Sequence, residues 1–229
     1  MRNELCVVIP VLNEAKTVLN NLAYLSSLQK SSHLIFIDGK SHDQTVELLK
    51  SHRFNVLTSA TKGRGGQISH GTVNVPKQCE NILFLHIDTK LPANYAQLIQ
   101  DALVNHAWGH FSVQFDTNKW MFKVIQFMMN KRSKFTGIAT GDQAIFVSKE
   151  LFSPHLNRVS EHPLMEDIFI SKTLKKHHGR AHIIERPVIT SVRYWAKHGI
   201  IKTVIKMWVF RFLYFFGMSP KKLYRLYYQ

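Results

Sequence analysis

The stretch LCVVIPVLNE, residues 5–14, decides the fold. Leu5–Pro10 is apolar without alternation, as a strand covered on both faces requires, and the polar pair Asn13-Glu14 closes the run. Three more such runs follow: Leu34–Asp38, Asn55–Ser59 and Ile82–Asp88. Helical stretches lie between them at Glu14–Leu28, His42–His52 and Gly65–Val75, and Ser41 and Gln44 stand at capping-box spacing ahead of the second. Strand–helix–strand repetition at this spacing predicts right-handed crossovers and a mostly parallel α/β sheet flanked by helices.

Beyond Pro92 the pattern predicts a helix over Ala93–Asn105, a strand at His110–Phe115, a helix over Lys119–Lys131 and a strand at Gln143–Ser148. A helix from Glu166 to His177 and a strand at Ala181–Glu185 follow. The tail reads as two helices broken at Gly217-Met218-Ser219-Pro220. Residues 1–195 then form one domain, and 196–229 a helical C-terminal appendage.

Composition narrows the partners. The net charge of +15, with 30 Lys and Arg against 15 Asp and Glu, calls for an anionic partner: nucleic acid, an anionic membrane surface or a phosphorylated small molecule. Cys6 and Cys79 match no metal spacing, and Cys6 within an apolar run reads as a buried reduced thiol. Residues 5–12 are too short for a secretory signal. Arg211 interrupts Met207–Met218, the longest late apolar stretch, so no membrane-spanning helix is expected. The expectation is a cytoplasmic protein.

In open α/β sheets ligands bind beyond the carboxyl ends of the strands. Asn13-Glu14 follows the first run, Asp38 ends the second and Asp88 the fourth. Asp38 could accept hydrogen bonds from a base or ribose, while Asp43 lies where helix capping alone would account for a carboxylate. His86 and Asp88, two apart on one strand, would share a face. A carboxylate together with diphosphate oxygens suits Mg²⁺ or Mn²⁺; packing and loop capping are the plainer roles for this pair. Lys62-Gly63-Arg64-Gly65-Gly66-Gln67 offers backbone N–H groups and two cations to an anion, or is a solvated turn. Glu166-Asp167 opens a helix, where a carboxylate serves either as a general base or as a helix-terminal charge.

Seven segments in order resemble the family 2 glycosyltransferases of GT-A fold, and most of all a short bacterial subgroup. They are VVIPVLNE (Val7–Glu14), FIDGKSHDQT (Phe36–Thr45), KGRGGQISHG (Lys62–Gly71), FLHIDTKLP (Phe84–Pro92), GDQAIFV (Gly141–Val147), MEDIFISKTLKK (Met165–Lys176) and RYW (Arg193–Trp195). The resemblance implies a nucleotide-binding, Rossmann-like sheet and an inverting transfer from a nucleoside-diphosphate sugar to an acceptor hydroxyl. Pro10, Leu12, Glu14 and Asp38 would frame the base and ribose, supported by Asp43, with Arg64 and Gln67 approaching the nucleotide. Asp88 would bind the divalent ion (Mn²⁺ or Mg²⁺), with His86 where the family carries another acid. Gly141, Asp142 and Gln143 would line the acceptor side. Asp167, paired with Glu166, would be the catalytic base, and Arg193 and Trp195 would belong to a loop closing over the diphosphate. Lys40 and Tyr194 also depart from the family's pattern.

The basic, aromatic tail from Lys197 onward suits packing on the domain or on a second subunit as a homodimer, or contact with an anionic membrane on its inner face. Contact with nucleic acid is the least supported reading. A lipid-linked acceptor would go with membrane contact. Two rivals stand beside the transferase: a GT-A-like module that binds nucleotide sugars without turnover, and a nucleotidyltransferase, for which PVLNEAKT lacks the Gly-rich, basic loop.

Overall fold

The computed structural model describes residues 5–228. The first half alternates as the pattern requires: β1 (Leu5–Val11), α1 (Ala15–Ser31), β2 (His33–Asp38), α2 (Thr45–Ser51), β3 (Asn55–Thr58), α3 (Arg64–Asn74) and β4 (Asn81–Phe84). Next come β5 (Thr89–Lys90), α4 (Tyr95–Asn105), β6 (Trp108–Phe115), α5 (Trp120–Thr136) and β7 (Ile145–Ser148). Two short helices, α6 (Lys149–Phe152) and α7 (Leu156–Ser160), lead to α8 (Glu166–His178) and β8 (His182–Thr190). The chain ends in α9 (Arg193–His198), α10 (Ile200–Phe215) and α11 (Pro220–Tyr228).

The strands form one sheet in the order β3-β2-β1-β4-β7-β6-β8-β5. β3, β2, β1 and β4 run parallel, β7 is antiparallel to both β4 and β6, and β8 is parallel to β6. The unbroken apolar character of β1 has a direct cause: its pleat feeds two cores. Val7, Ile9 and Val11 pack with Val18, Leu25 and Leu28 of α1 on one face, while Cys6 and Val8 join Ile68 of α3 on the other. Each such fully buried aliphatic contributes about 1.5–3 kcal/mol. The carboxyl ends of β1, β2 and β4 therefore lie together at one end of the sheet, where their loops meet.

Several expectations need correction. β3 is an edge strand with Asn55 and Thr58 exposed, so it is not covered on both faces. α2 begins at Thr45 without a side-chain cap, because Ser41 Oγ accepts from the Asn13 N–H instead. β4 stops at Phe84, and His86 to Asp88 lie in a turn closed by the Thr89 N–H on the His86 carbonyl. Cys6 is not a free thiol; it is joined to Cys79 in a disulfide between β1 and the loop before β4.

Candidate active site

The loops after β1 and β2 are laced together by side chains. The Asp43 carboxylate accepts from the N–H groups of Ala15 and Thr45, and Asn13 Oδ1 accepts from the His42 N–H. Slight burial works against the charge on Asp43, but these hydrogen bonds and that from the Thr45 hydroxyl outweigh it and hold the carboxyl below its usual range. Asp38 is buried and turns both oxygens to its own loop, accepting from the N–H groups of Lys40 and Ser41. Asn13 and Lys40 adopt left-handed φ values of 55° and 74°. For non-glycine residues that conformation is costly and persists where the surroundings over-determine it.

Across this mouth lies Arg193, at the start of α9. It donates from Nη2 to Glu14 at 2.8 Å and from Nε to Asp88 at 3.2 Å, and its Nη1 reaches Thr17. Burial works against its charge, yet Glu14 and then Asp88 more than offset that and hold the guanidinium firmly protonated.

The second half of the site is the start of α8. Met165 takes a left-handed φ of 63° and so turns the chain sharply before Glu166-Asp167. Asp167 accepts from the Gly141 N–H at 3.0 Å and from the Ile168 N–H at 2.7 Å. Glu166 is buried; desolvation and the neighbouring Asp167 charge push its carboxyl up to about 8, against the pull of Arg64. Burial thus favours the neutral form of Glu166 over the charged one. Pro10, Arg64, His86, Gly141, Glu166 and Asp167 line one narrow cavity with Ile68, Phe84, Leu85, Ile145 and Ile170. A larger hollow of about 320 Å³, beside Ser31–Ile35, lies at the opposite end of the strands and carries none of these acids.

A family model described as "Glycosyl transferase family 2" matches residues 6–152. The chain belongs to glycosyl transferase family 2. Solved structures agree in fold. S. aureus TarS 1–349 superposes with a TM-score of 0.60 at 16% identity, covering 82% of this chain and 60% of that one. The mannosyltransferase PcManGT from Pyrobaculum calidifontis, in complex with GDP-Man and Mn²⁺, gives 0.58 at 17%, covering 83% and 57%. Glucosyl-3-phosphoglycerate synthase from Mycobacterium tuberculosis, in complex with Mn²⁺, UDP and phosphoglyceric acid, gives 0.54 at 14%, covering 82% and 68%. This chain thus spans about three fifths of the length of the first two. No curated protein sequence matches it.

Set on this family 2 fold, the residues expected from sequence divide into cavity and support. Gln67 is buried, and its Nε2 donates to the carbonyls of Val11 and Ile37, tying the ends of β1 and β2 together. Gln143 turns inward: its Nε2 donates to Ser133 Oγ while its Oε1 accepts from the Thr140 N–H, closing a capping box over the turn Gly141–Gln143. The Trp195 ring packs edge-on against Phe115 and Phe122 and so anchors α9, the helix that carries Arg193. The small residues of Lys62–Gln67 also serve packing: a Cβ on Gly65 would stand 2.2 Å from the Val159 carbonyl oxygen.

His86 and Asp88 go separate ways. His86 Nδ1 faces Asp142 at 3.2 Å, and its Nε2 lies against Gly141 so closely that a Cβ there would come within 2.4 Å. Burial acts against Asp142, but the hydrogen bond and charge of His86 win and hold its carboxyl below the usual range. Asp88 keeps its carboxylate at the mouth, where Arg193 Nε donates to it at 3.2 Å. Among the described residues no three His, Cys, Asp or Glu side chains gather closely enough to hold an ion alone. The donor set fits the type of Mg²⁺ or Mn²⁺ site in which one carboxylate is completed by substrate phosphates and water.

The tail supplies groups that local patterns could not reveal. Tyr214 of α10 stands near Asp167 and Glu166; burial first, and then those two charges, push its phenol up. Arg211, one turn earlier, is close enough for its charge to help hold Asp142 ionised. Tyr194 and Tyr227 join α9 to α11 through their hydroxyls at 2.8 Å.

Proposed function

We propose that the protein is an inverting glycosyltransferase that moves a sugar from a nucleoside-diphosphate donor to an acceptor hydroxyl. The observation that carries this reading is the pairing of two clusters at the carboxyl ends of the strands. Glu14, Asp88 and Arg193 form a charged rim on one side, and Asp167, oriented by the Gly141 N–H, stands on the other. Support comes from family membership and from relatives of the same fold that bind UDP or GDP-Man with Mn²⁺.

In this reading Pro10 and Leu12 border the base, and the laced loops of Asn13, Asp38 and Asp43 hold their shape for it. Arg193 swings from Asp88 and Glu14 onto the diphosphate, while Arg64 balances the negative charge deeper in the cavity. A divalent ion at Asp88 would neutralise the departing diphosphate. Asp167 removes the acceptor proton as the hydroxyl attacks the anomeric carbon. A single displacement with one base and no enzyme nucleophile inverts the anomeric centre. Burial pushes the Glu166 carboxyl beside the base towards its neutral form, which limits the repulsion between the two acids.

The test is a thermal-shift screen of nucleotide sugars with and without Mn²⁺, followed by determination of the anomeric configuration of any product. A ligand that binds only the folded state raises the melting temperature. Stabilisation by a donor and an inverted product are expected; no shift with any donor overturns the reading, and a retained anomer overturns inversion.

A further inference from the structure

Two helices carry the same exposed apolar stripe. On α5 it consists of Trp120, Val124, Phe127, Met128 and Phe135, spaced as successive turns of one face. On α10 it consists of Ile201, Ile205, Trp208, Phe212 and Phe215, on the same spacing, with Val209 and Phe216 beside them. These side chains are far from marginal: Phe135 is 87% and Phe215 76% exposed. The opposite faces of both helices pack into one core cluster, Phe122 and Met129 from α5 with Ile200, Val204 and Met207 from α10. Contiguous exposed apolar surface beyond a few hundred Å² marks an interaction site.

The charge around the stripes is predominantly positive, Glu185 being paired with Lys134 at 3.3 Å. No Asp or Glu occurs between Asp116 and Asp142, or anywhere after Glu185. Lys119, Lys123, Lys131 and Lys134 flank the first stripe, and Lys197, Lys202, Lys221 and Lys222 border the second, all of them exposed. Lys131 lies 5.5 Å from the Phe127 ring centroid, a cation over an aromatic face.

We infer that the outer faces of α5 and α10 form a docking surface for an anionic phospholipid bilayer. Aromatic and aliphatic side chains enter the headgroup boundary while the lysines meet lipid phosphates. A second copy of this chain is a poor occupant, because a two-fold interface would set one strongly cationic rim against another, with Glu185 already paired to Lys134. Nucleic acid is a poorer occupant, since the exposed aliphatic Val124, Met128, Ile201 and Ile205 between the rings gain nothing from bases or phosphates but are buried by lipid. Among the described residues no helix is long and apolar enough to cross a membrane. With 16 residues, α10 is about 24 Å long and lies in the interface plane. This surface is independent of the donor chemistry proposed above.

The full chain is co-sedimented with phosphatidylcholine vesicles, with and without phosphatidylglycerol, beside two double variants, Phe127→Glu/Phe135→Glu on α5 and Trp208→Glu/Phe212→Glu on α10. All four side chains are exposed, and far-ultraviolet circular dichroism together with thermal shift by a nucleotide sugar checks that each variant keeps its fold and donor pocket. Pelleting with phosphatidylglycerol vesicles, weakened by salt and reduced about tenfold or more by either variant, is expected. No pelleting, equal pelleting with neutral vesicles, or wild-type pelleting by the α5 variant overturns the inference. A dimer in light scattering that the same variants dissociate also overturns it, by assigning the face to a second copy.

Discussion

Arg193 Nε stands 3.2 Å from the Asp88 carboxylate although 105 residues separate the two in sequence. The contact draws the start of α9 to the turn beyond β4, at the place where a donor's diphosphate would lie. A phosphate offers the same guanidinium a paired set of acceptors, and charge-assisted bonds of that type are the strong ones. Arg193→Ala should therefore raise the Kd for a nucleoside diphosphate about tenfold or more, as read by titration calorimetry. An unchanged Kd would remove Arg193 from the donor site.

Asp88 is the carboxylate that the proposed reading assigns to the divalent ion. Asp88→Ala should abolish the gain in donor affinity brought by Mn²⁺ while leaving the metal-free affinity close to that of the wild type. A full Mn²⁺ effect in the variant would place the ion elsewhere.

Asp167 is held by two backbone N–H groups, from Gly141 and Ile168, which fix the direction of its carboxylate. Asp167→Asn keeps the shape and loses the base. Transfer should fall by about 10²–10⁴-fold in kcat, with the donor Kd within a factor of about two. An active variant would return the base role to another group.

The parallel half of the sheet was legible because β1, β2 and β4 are apolar on both faces and separated by helices with clear spacing. The acids at the strand ends were legible for the same reason, since Asp38 ends β2 and Glu14 lies just past β1, while Asp88 sits in the turn beyond β4. What each side chain does there was not. Gln67 and Gln143 sit within site-like segments, yet both amides are used up on backbone and on Ser133, a matter of which way the chain turns. The packing of Trp195 was not legible because its partners, Phe115 and Phe122, lie some 70–80 residues earlier. The Cys6–Cys79 pair was hidden by the same distance, and Tyr214 and Arg211 reach the acids only because α10 folds back over α8.

Glu166 gives stability a pH dependence whose sign can be worked out. Its carboxyl rises from an ordinary 4.5 to about 8 on folding, mainly through burial. The folded state thus holds a proton that the unfolded chain releases, and the associated stability is complete below about pH 4.5 and lost as pH climbs towards 8. Glu166→Gln mimics the protonated form. Its melting temperature should exceed that of the wild type at pH 8.5 and approach it at pH 5. A constant difference across that range would show that Glu166 is ionised in the fold.

Gly65 tests the contact that positions the turn before Glu166-Asp167. An alanine in the first turn of α3 ought to favour the helix by roughly 0.5–1 kcal/mol. Here its Cβ would fall 2.2 Å from the Val159 carbonyl oxygen and 2.3 Å from that of His162, and neither backbone group can move cheaply. Overpacking of this sort costs about 1–3 kcal/mol. At roughly 2–4 °C per kcal/mol for a chain of this size, Gly65→Ala should melt several degrees below the wild type. The strain has a direction as well. His162 leads through Pro163, whose carbonyl accepts from the Arg64 N–H, to the left-handed Met165 and then to Asp167. The variant should therefore lose kcat well below its melting temperature, with donor affinity less affected. Wild-type melting and turnover together would mean that α3 and the segment 159–163 do not approach so closely.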